Sequence, residues 1–77
     1  MFYVDNQTLK MQTPDGKRLV KVQMYSDGTD AVANFPLTGD GIDGLDANVV
    51  IAPGSTIYVT NPPGLYMMSP AMKWDKQ

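Results

Sequence analysis

Every acidic residue in this chain is an aspartate, and four of the eight stand immediately before a glycine: Asp15-Gly16, Asp27-Gly28, Asp40-Gly41 and Asp43-Gly44. Aspartate is a poor helix-interior residue because its short carboxylate competes for nearby backbone N–H groups, and the same habit makes it a good turn former. Glycine supplies the positive φ that tight turns need. The pattern predicts short strands joined by turns, and it assigns most of the carboxylates to turns rather than to chemistry.

The apolar residues agree, recurring at every second position rather than with helical spacing. Leu9 and Met11 alternate with Thr8, Lys10 and Gln12, and Thr13-Pro14-Asp15-Gly16-Lys17 then carries a hairpin signal. Val20, Val22 and Met24 alternate with Lys21, Gln23 and Tyr25 before Ser26-Asp27-Gly28 turns the chain again. These runs predict a three-stranded meander over residues 8–12, 18–26 and 29–35, with Phe2-Tyr3-Val4 as a further edge strand. Residues 36–48 are a loop, with one short helical turn expected around Asp43 to Asp46. Val49-Val50-Ile51 resumes the sheet, and Ala52-Pro53-Gly54-Ser55 turns it. Ile57 and Val59 alternate with Thr56, Tyr58 and Thr60; Asn61-Pro62-Pro63-Gly64 turns the chain, and Leu65-Tyr66-Met67-Met68 leads through Ser69-Pro70 to Trp74. The expected fold is all-β, a small antiparallel meander forming a sandwich or partly open barrel, with residues 1–77 as a single domain.

At 77 residues one hydrophobic core supplies only about 3–5 kcal/mol. The chain has no Cys and no His, which excludes a disulfide staple and a Cys/His zinc site. Association with copies of itself or with a larger assembly is therefore expected. A formal net charge of −2 and a pI near 4.6 argue against a phosphate-backbone binder, so no nucleic acid is expected as a partner. Lys17, Arg18 and Lys21 cluster beside a turn and read as a solvated hairpin flank. The opening Phe2-Tyr3-Val4 lacks a basic flank and is followed at once by Asp5 and Asn6, so it is expected to be neither a signal peptide nor a membrane anchor.

The loop at 38–46 matches two ligand motifs. Gly39-Asp40-Gly41-Ile42-Asp43-Gly44 spells the dinucleotide fingerprint G-x-G-x-x-G, but that motif works only between a buried parallel strand and a helix N-terminus. Thr38 through Asp46 resembles the calcium-binding nonapeptide, with Thr38 in place of the first Gly, and a single copy has no second half-site. Asp40, Asp43 and Asp46 are the weak metal candidates left by this comparison. A polar loop of turn-forming acids is the expected reading, with no cofactor.

Catalytic constellations fail on inventory. Ser-His, Cys-His and His-metal chemistries lack their residues. Ser69 and Lys73 do not have the S-x-x-K offset, and Pro70 opposes a helix across them. A non-enzymatic protein with no small-molecule substrate is expected. The aromatics are more informative: Tyr25 and Tyr58 oppose the apolar phase of their strands, and Tyr66 opposes Leu65 and Met67. Tyr25, Tyr58, Tyr66 and Met68 are thus the candidate interaction residues, lining a face the core does not use. The alternative is a sheet that closes on itself and buries them. Trp74 is expected in the core.

The C-terminal half carries Gly44-Leu45, Ile51-Ala52-Pro53-Gly54-Ser55-Thr56-Ile57-Tyr58, Gly64-Leu65-Tyr66-Met67-Met68-Ser69-Pro70 and Trp74. This stretch, residues 44–77, resembles the ending of small proteins encoded among structural genes of tailed bacteriophages. It departs from their pattern at Ala71-Met72, where a small Gly-containing turn follows Ser-Pro. The resemblance implies a virion-associated β module: a capsid decoration, head-fibre or tail accessory subunit, made in the host bacterial cytoplasm. Its partners would be its own copies or a larger phage structural protein. The alternative is a small acidic phage-encoded inhibitor of a host enzyme.

Overall fold

The computed structural model describes residues 2–28 and 34–77. They form six strands: β1 (Phe2–Gln12), β2 (Arg18–Ser26), β3 (Val49–Ile51), β4 (Thr56–Thr60), β5 (Pro63–Met68) and β6 (Trp74–Lys76). The all-β expectation holds, and the six strands make one open, mixed sheet that does not close into a barrel. Its order is β1-β2-β4-β5-β6, with β3 also paired to β2. The β1–β2, β4–β5 and β5–β6 pairs are antiparallel. The β2–β3 and β2–β4 pairs are parallel, so the first hairpin does not continue into the rest as a meander. Most of the third meander strand expected at 29–35 lies outside the described residues; its last two, Asn34 and Phe35, are not in a strand.

All four Asp-Gly steps are turns of the predicted kind, with Gly16, Gly28, Gly41 and Gly44 at φ of 87°, 87°, 77° and 91°. In the β1–β2 hairpin, Gly16 N–H donates to Thr13 O at 3.0 Å and Thr13 N–H donates to Lys17 O at 2.7 Å. That is a three-residue loop, Pro14-Asp15-Gly16, with glycine at the left-handed position. The Thr13 hydroxyl bonds to the Asp15 carboxylate, and Lys17 N–H donates to it at 3.3 Å. These two bonds hold the Asp15 pKa below the usual carboxylate value, the threonine contributing most.

β1 is a single strand of 11 residues where the sequence reads as two pieces. Its pairing with β2 shifts between Val4 and Asn6 and again between Leu9 and Met11. Each shift is a bulge that reverses the in–out phase. Leu9 opposes inward-facing Val20, whereas Met11 opposes Leu19 on the other face, so two residues that look like one face of a strand lie on opposite faces.

β3 and β4 run in tandem along the same edge of β2. Val20 pairs with Ile51 and Gln23 with Thr56, so five residue steps of chain face three. Ala52-Pro53-Gly54-Ser55 takes up the excess as a turn. Ala52 N–H donates to Val20 O at 2.8 Å. The Ser55 hydroxyl accepts from Val22 N–H at 2.9 Å, supplying the bond that the interrupted ladder cannot. Both Ser55 and Val22 are fully buried, and a buried N–H without a partner is costly.

The core lies on one face of the sheet. Val20, Val22 and Met24 of β2 meet Val49, Ile51, Ile57, Val59 and Met68, with Phe35 packed over them. Phe35 makes edge-on contacts with Phe2, Tyr66 and Trp74 at ring-centroid distances of 5.5, 5.1 and 6.3 Å. Trp74 Nε1–H donates to Pro36 O at 2.8 Å, tying the end of the chain to the start of the loop. Trp74 is half-buried against the core, as expected. The 36–48 loop lies along this face. Ile42 and Leu45 pack on the core, and Gly39 N–H donates to Val49 O at 2.8 Å. Instead of the expected helical turn, the loop is a succession of tight turns, Ile42 N–H donating to Gly39 O and Leu45 N–H to Ile42 O.

Candidate functional site

The opposite face of the sheet has a different composition. Side chains alternate along a strand, so each inward residue of β2 and β4 leaves an outward neighbour: Lys21, Gln23 and Tyr25 on β2, Thr56, Tyr58 and Thr60 on β4. The parallel register sets Tyr25 directly beside Tyr58 and Gln23 beside Thr56. On one flank Tyr3 of β1 pairs with Tyr25, and their rings stack at 5.0 Å with an interplanar angle of 23°. On the other flank Leu65 of β5 pairs with Tyr58, and Met67 with Thr56. A strip of large side chains therefore crosses four strands: Tyr3, Tyr25, Tyr58 and Leu65, with Met67 beside it. Each is more than a third exposed, Tyr58 most at 52%.

A shallow, open depression of about 490 Å³ is sunk into this strip, lined by Asp5, Gln23, Tyr25, Thr56, Tyr58 and Thr60, with Met24 contributing to its floor. A smaller hollow of about 110 Å³, lined by Asn6, Thr8, Lys21 and Gln23, adjoins it through Gln23. The bulge at Asp5 brings the β1 carboxylate to the rim. The Thr60 hydroxyl is engaged, donating to Ser26 O at 3.0 Å. Among the described residues, no hydrogen bond from another protein group occupies the Asp5 carboxylate, the Gln23 amide or the Thr56 hydroxyl.

Of the four interaction residues expected from the sequence, Tyr25 and Tyr58 lie on this face. Tyr66 and Met68 do not. Tyr66 pairs with inward-facing Ile57 and rests half-buried against Phe35, and Met68 is buried at 1% exposure. The reason is phase: β5 is apolar at both alternations, and its register with β4 puts Leu65 and Met67 outward and Tyr66 and Met68 inward. Tyr3, Leu65 and Met67 are the outward residues that sequence reasoning missed. Tyr3 carried a usable signal, sitting between Phe2 and Val4, which both pack on the core.

The loop carboxylates are placed differently. Asp40, Asp43 and Asp46 are all exposed, and Asp46 forms an ion pair with Arg18. Among the described residues, no three carboxylates are grouped closely enough to hold a metal ion. The glycines of the fingerprint-like run act in folding. A β-carbon at buried Gly39 would collide with the Asp46 carbonyl, and the run leads into β3 rather than into a helix.

No protein-family model matches this chain, and neither the curated proteins nor the solved structures include a significant match to it.

Proposed function

We propose that this is a non-enzymatic structural and binding protein of a tailed-bacteriophage virion, a capsid-decoration, head-fibre or tail accessory subunit. It acts by non-covalent contact through its exposed sheet face and sheet edge. The observation that carries the binding role is the strip of Tyr3, Tyr25, Tyr58, Leu65 and Met67 on the face opposite the core. Contiguous large apolar and aromatic side chains on a small domain mark interaction surfaces. β1 adds a second route. It is an end strand of the sheet among the described residues, and its outer edge offers backbone groups for strand addition. The virion assignment rests on the C-terminal sequence resemblance, with copies of this chain or a larger phage structural protein as partner.

The test is mass spectrometry of purified particles of the encoding phage, with native mass spectrometry of the isolated protein. The expected result is the chain present in virions at stoichiometric copy number, and either self-association or binding to purified particles in vitro. A stable monomer that is absent from particles and does not bind them would refute the proposal.

A further inference from the structure

Resting on the reading that the outward sheet face is a binding face, we infer that its tyrosine end binds a glycan of neutral hexopyranose units, one ring lying in the depression between Tyr25 and Tyr58. Three features of the site lead to this ligand chemistry.

The first is the ring arrangement. Tyr25 and Tyr58 are direct neighbours in register, on strands only about 4.8 Å apart, yet Tyr25 stacks on Tyr3 instead. The floor between Tyr25 and Tyr58 is left open as the 490 Å³ depression, within the ~300–1,000 Å³ range of small-ligand sites. Aromatic faces are electron-rich, and the C–H groups on one side of a pyranose are their complement. The second is the polar set around the rings. A carboxylate, a primary amide and a hydroxyl, from Asp5, Gln23 and Thr56, converge on the depression with no hydrogen bond from the protein among the described residues. Together they offer acceptors and donors in the mixture that sugar hydroxyls require. A dry protein interface laid over the same spot would strand these groups, the Asp5 carboxylate above all. The third is shape and charge. The depression is open at the surface and continues through Gln23 into the smaller hollow, giving an adjoining unit of a polymer somewhere to lie. Its one charged lining group is Asp5, which disfavours phosphorylated or uronic-acid ligands. With this end of the face occupied by glycan, assembly contacts fall to the β1 edge and to Leu65 and Met67.

The full-length protein would be applied to an array of neutral and acidic oligosaccharides, and any hit measured by titration calorimetry. The expected result is binding of at least one neutral hexose oligosaccharide. Its affinity should fall about tenfold or more in Tyr25→Ala and in Tyr58→Ala, and fall in Gln23→Ala. All three side chains are exposed, so circular dichroism should show an unchanged fold. Leu65→Ala, outside the depression, should leave glycan affinity unchanged. The inference is overturned if no neutral oligosaccharide binds, if polygalacturonate or another anionic glycan is preferred, or if the tyrosine variants bind as well as the parent. Particle binding by the same variants separates the two claims. Association with virions in the absence of glycan binding removes this inference and leaves the structural role standing.

Discussion

Gly16 and Gly28 both follow an aspartate and both adopt φ of 87°, yet alanine at the two positions should have very different effects. A left-handed conformation costs a residue with a β-carbon about 1–2 kcal/mol relative to glycine. At Gly16 a β-carbon would meet no heavy atom within 4 Å, so Gly16→Ala should lose that conformational term alone. At Gly28 the same term applies, and the added carbon would overlap the backbone carbonyl of Asn61, in the turn between β4 and β5. Backbone cannot swing aside as a side chain can, and overpacking of this kind adds about 1–3 kcal/mol. Gly28→Ala is therefore expected to lose roughly 2–5 kcal/mol in total. In a domain whose core supplies only about 3–5 kcal/mol, that is enough to leave a large fraction unfolded at 25 °C. Urea titrations followed by Trp74 fluorescence would measure both variants, with the slope checked for two-state behaviour. Gly41→Ala, at φ of 77° with open space around it, serves as a second control and should match Gly16→Ala. Equal losses at positions 16 and 28 would refute the steric argument and leave dihedral preference as the whole effect.

Ser55→Ala removes the acceptor for the buried Val22 N–H, so it should cost about 1–3 kcal/mol, a fall in Tm of roughly 4–8 °C per kcal/mol at this size; a loss under about 0.5 kcal/mol would mean that the N–H finds another partner. Met72 holds φ of 61° in a loop bonded like the first hairpin, Met72 N–H to Ser69 O at 2.9 Å and Ser69 N–H to Lys73 O at 2.8 Å. Its side chain packs on the core, so Met72→Ala forfeits the packing and keeps the strain, and should be about 1 kcal/mol less stable than Met72→Gly; alanine equal to glycine in thermal melts would refute this. The Asp15 pKa is lowered on folding, so its contribution is present above the ordinary carboxylate value and is lost as pH falls through the lowered one. Asp15→Asn should therefore show a flatter stability profile than the parent below about pH 4, and parallel acid limbs would count against the Thr13 and Lys17 bonds as its cause.

The parts of the fold that were legible in the sequence are those governed by local chemistry. The Asp-Gly turns, the alternation of β2 and the Ile57–Tyr58–Val59 phase of β4 each depend on neighbouring residues, and each appears as expected. What was not legible depends on a partner distant in sequence. Two bulges in β1 reverse the phase between Val4 and Asn6 and between Leu9 and Met11, and no residue type at Asp5 or Lys10 announces them. The phase of β5 was hidden because Leu65, Tyr66, Met67 and Met68 are all large and apolar enough for either face. The parallel pairing of β3 and β4 with β2 was hidden for another reason. Ala-Pro-Gly-Ser reads as a hairpin turn, and only the register shows that the chain leaves β2's edge and rejoins it in the same direction.

That pairing also accounts for why a binding face exists. An antiparallel meander folded into a sandwich would have covered both faces with strands, and the tyrosines would have become core. Here the parallel return to β2 requires a long connection, and its described part, carrying Phe35, Ile42 and Leu45, packs against the Val22 and Ile57 side of the sheet. The remaining strands extend the same sheet sideways rather than over it. No described segment is left to lie across the Tyr25 and Tyr58 side. A face left to water by topology alone would be expected to carry charged and small polar residues; this one carries three tyrosines, a leucine and a methionine among unpaired polar groups. Exposure here follows from the connection, but the choice of side chains does not, and it is that choice which makes the face a candidate for recognition rather than a bare consequence of the fold.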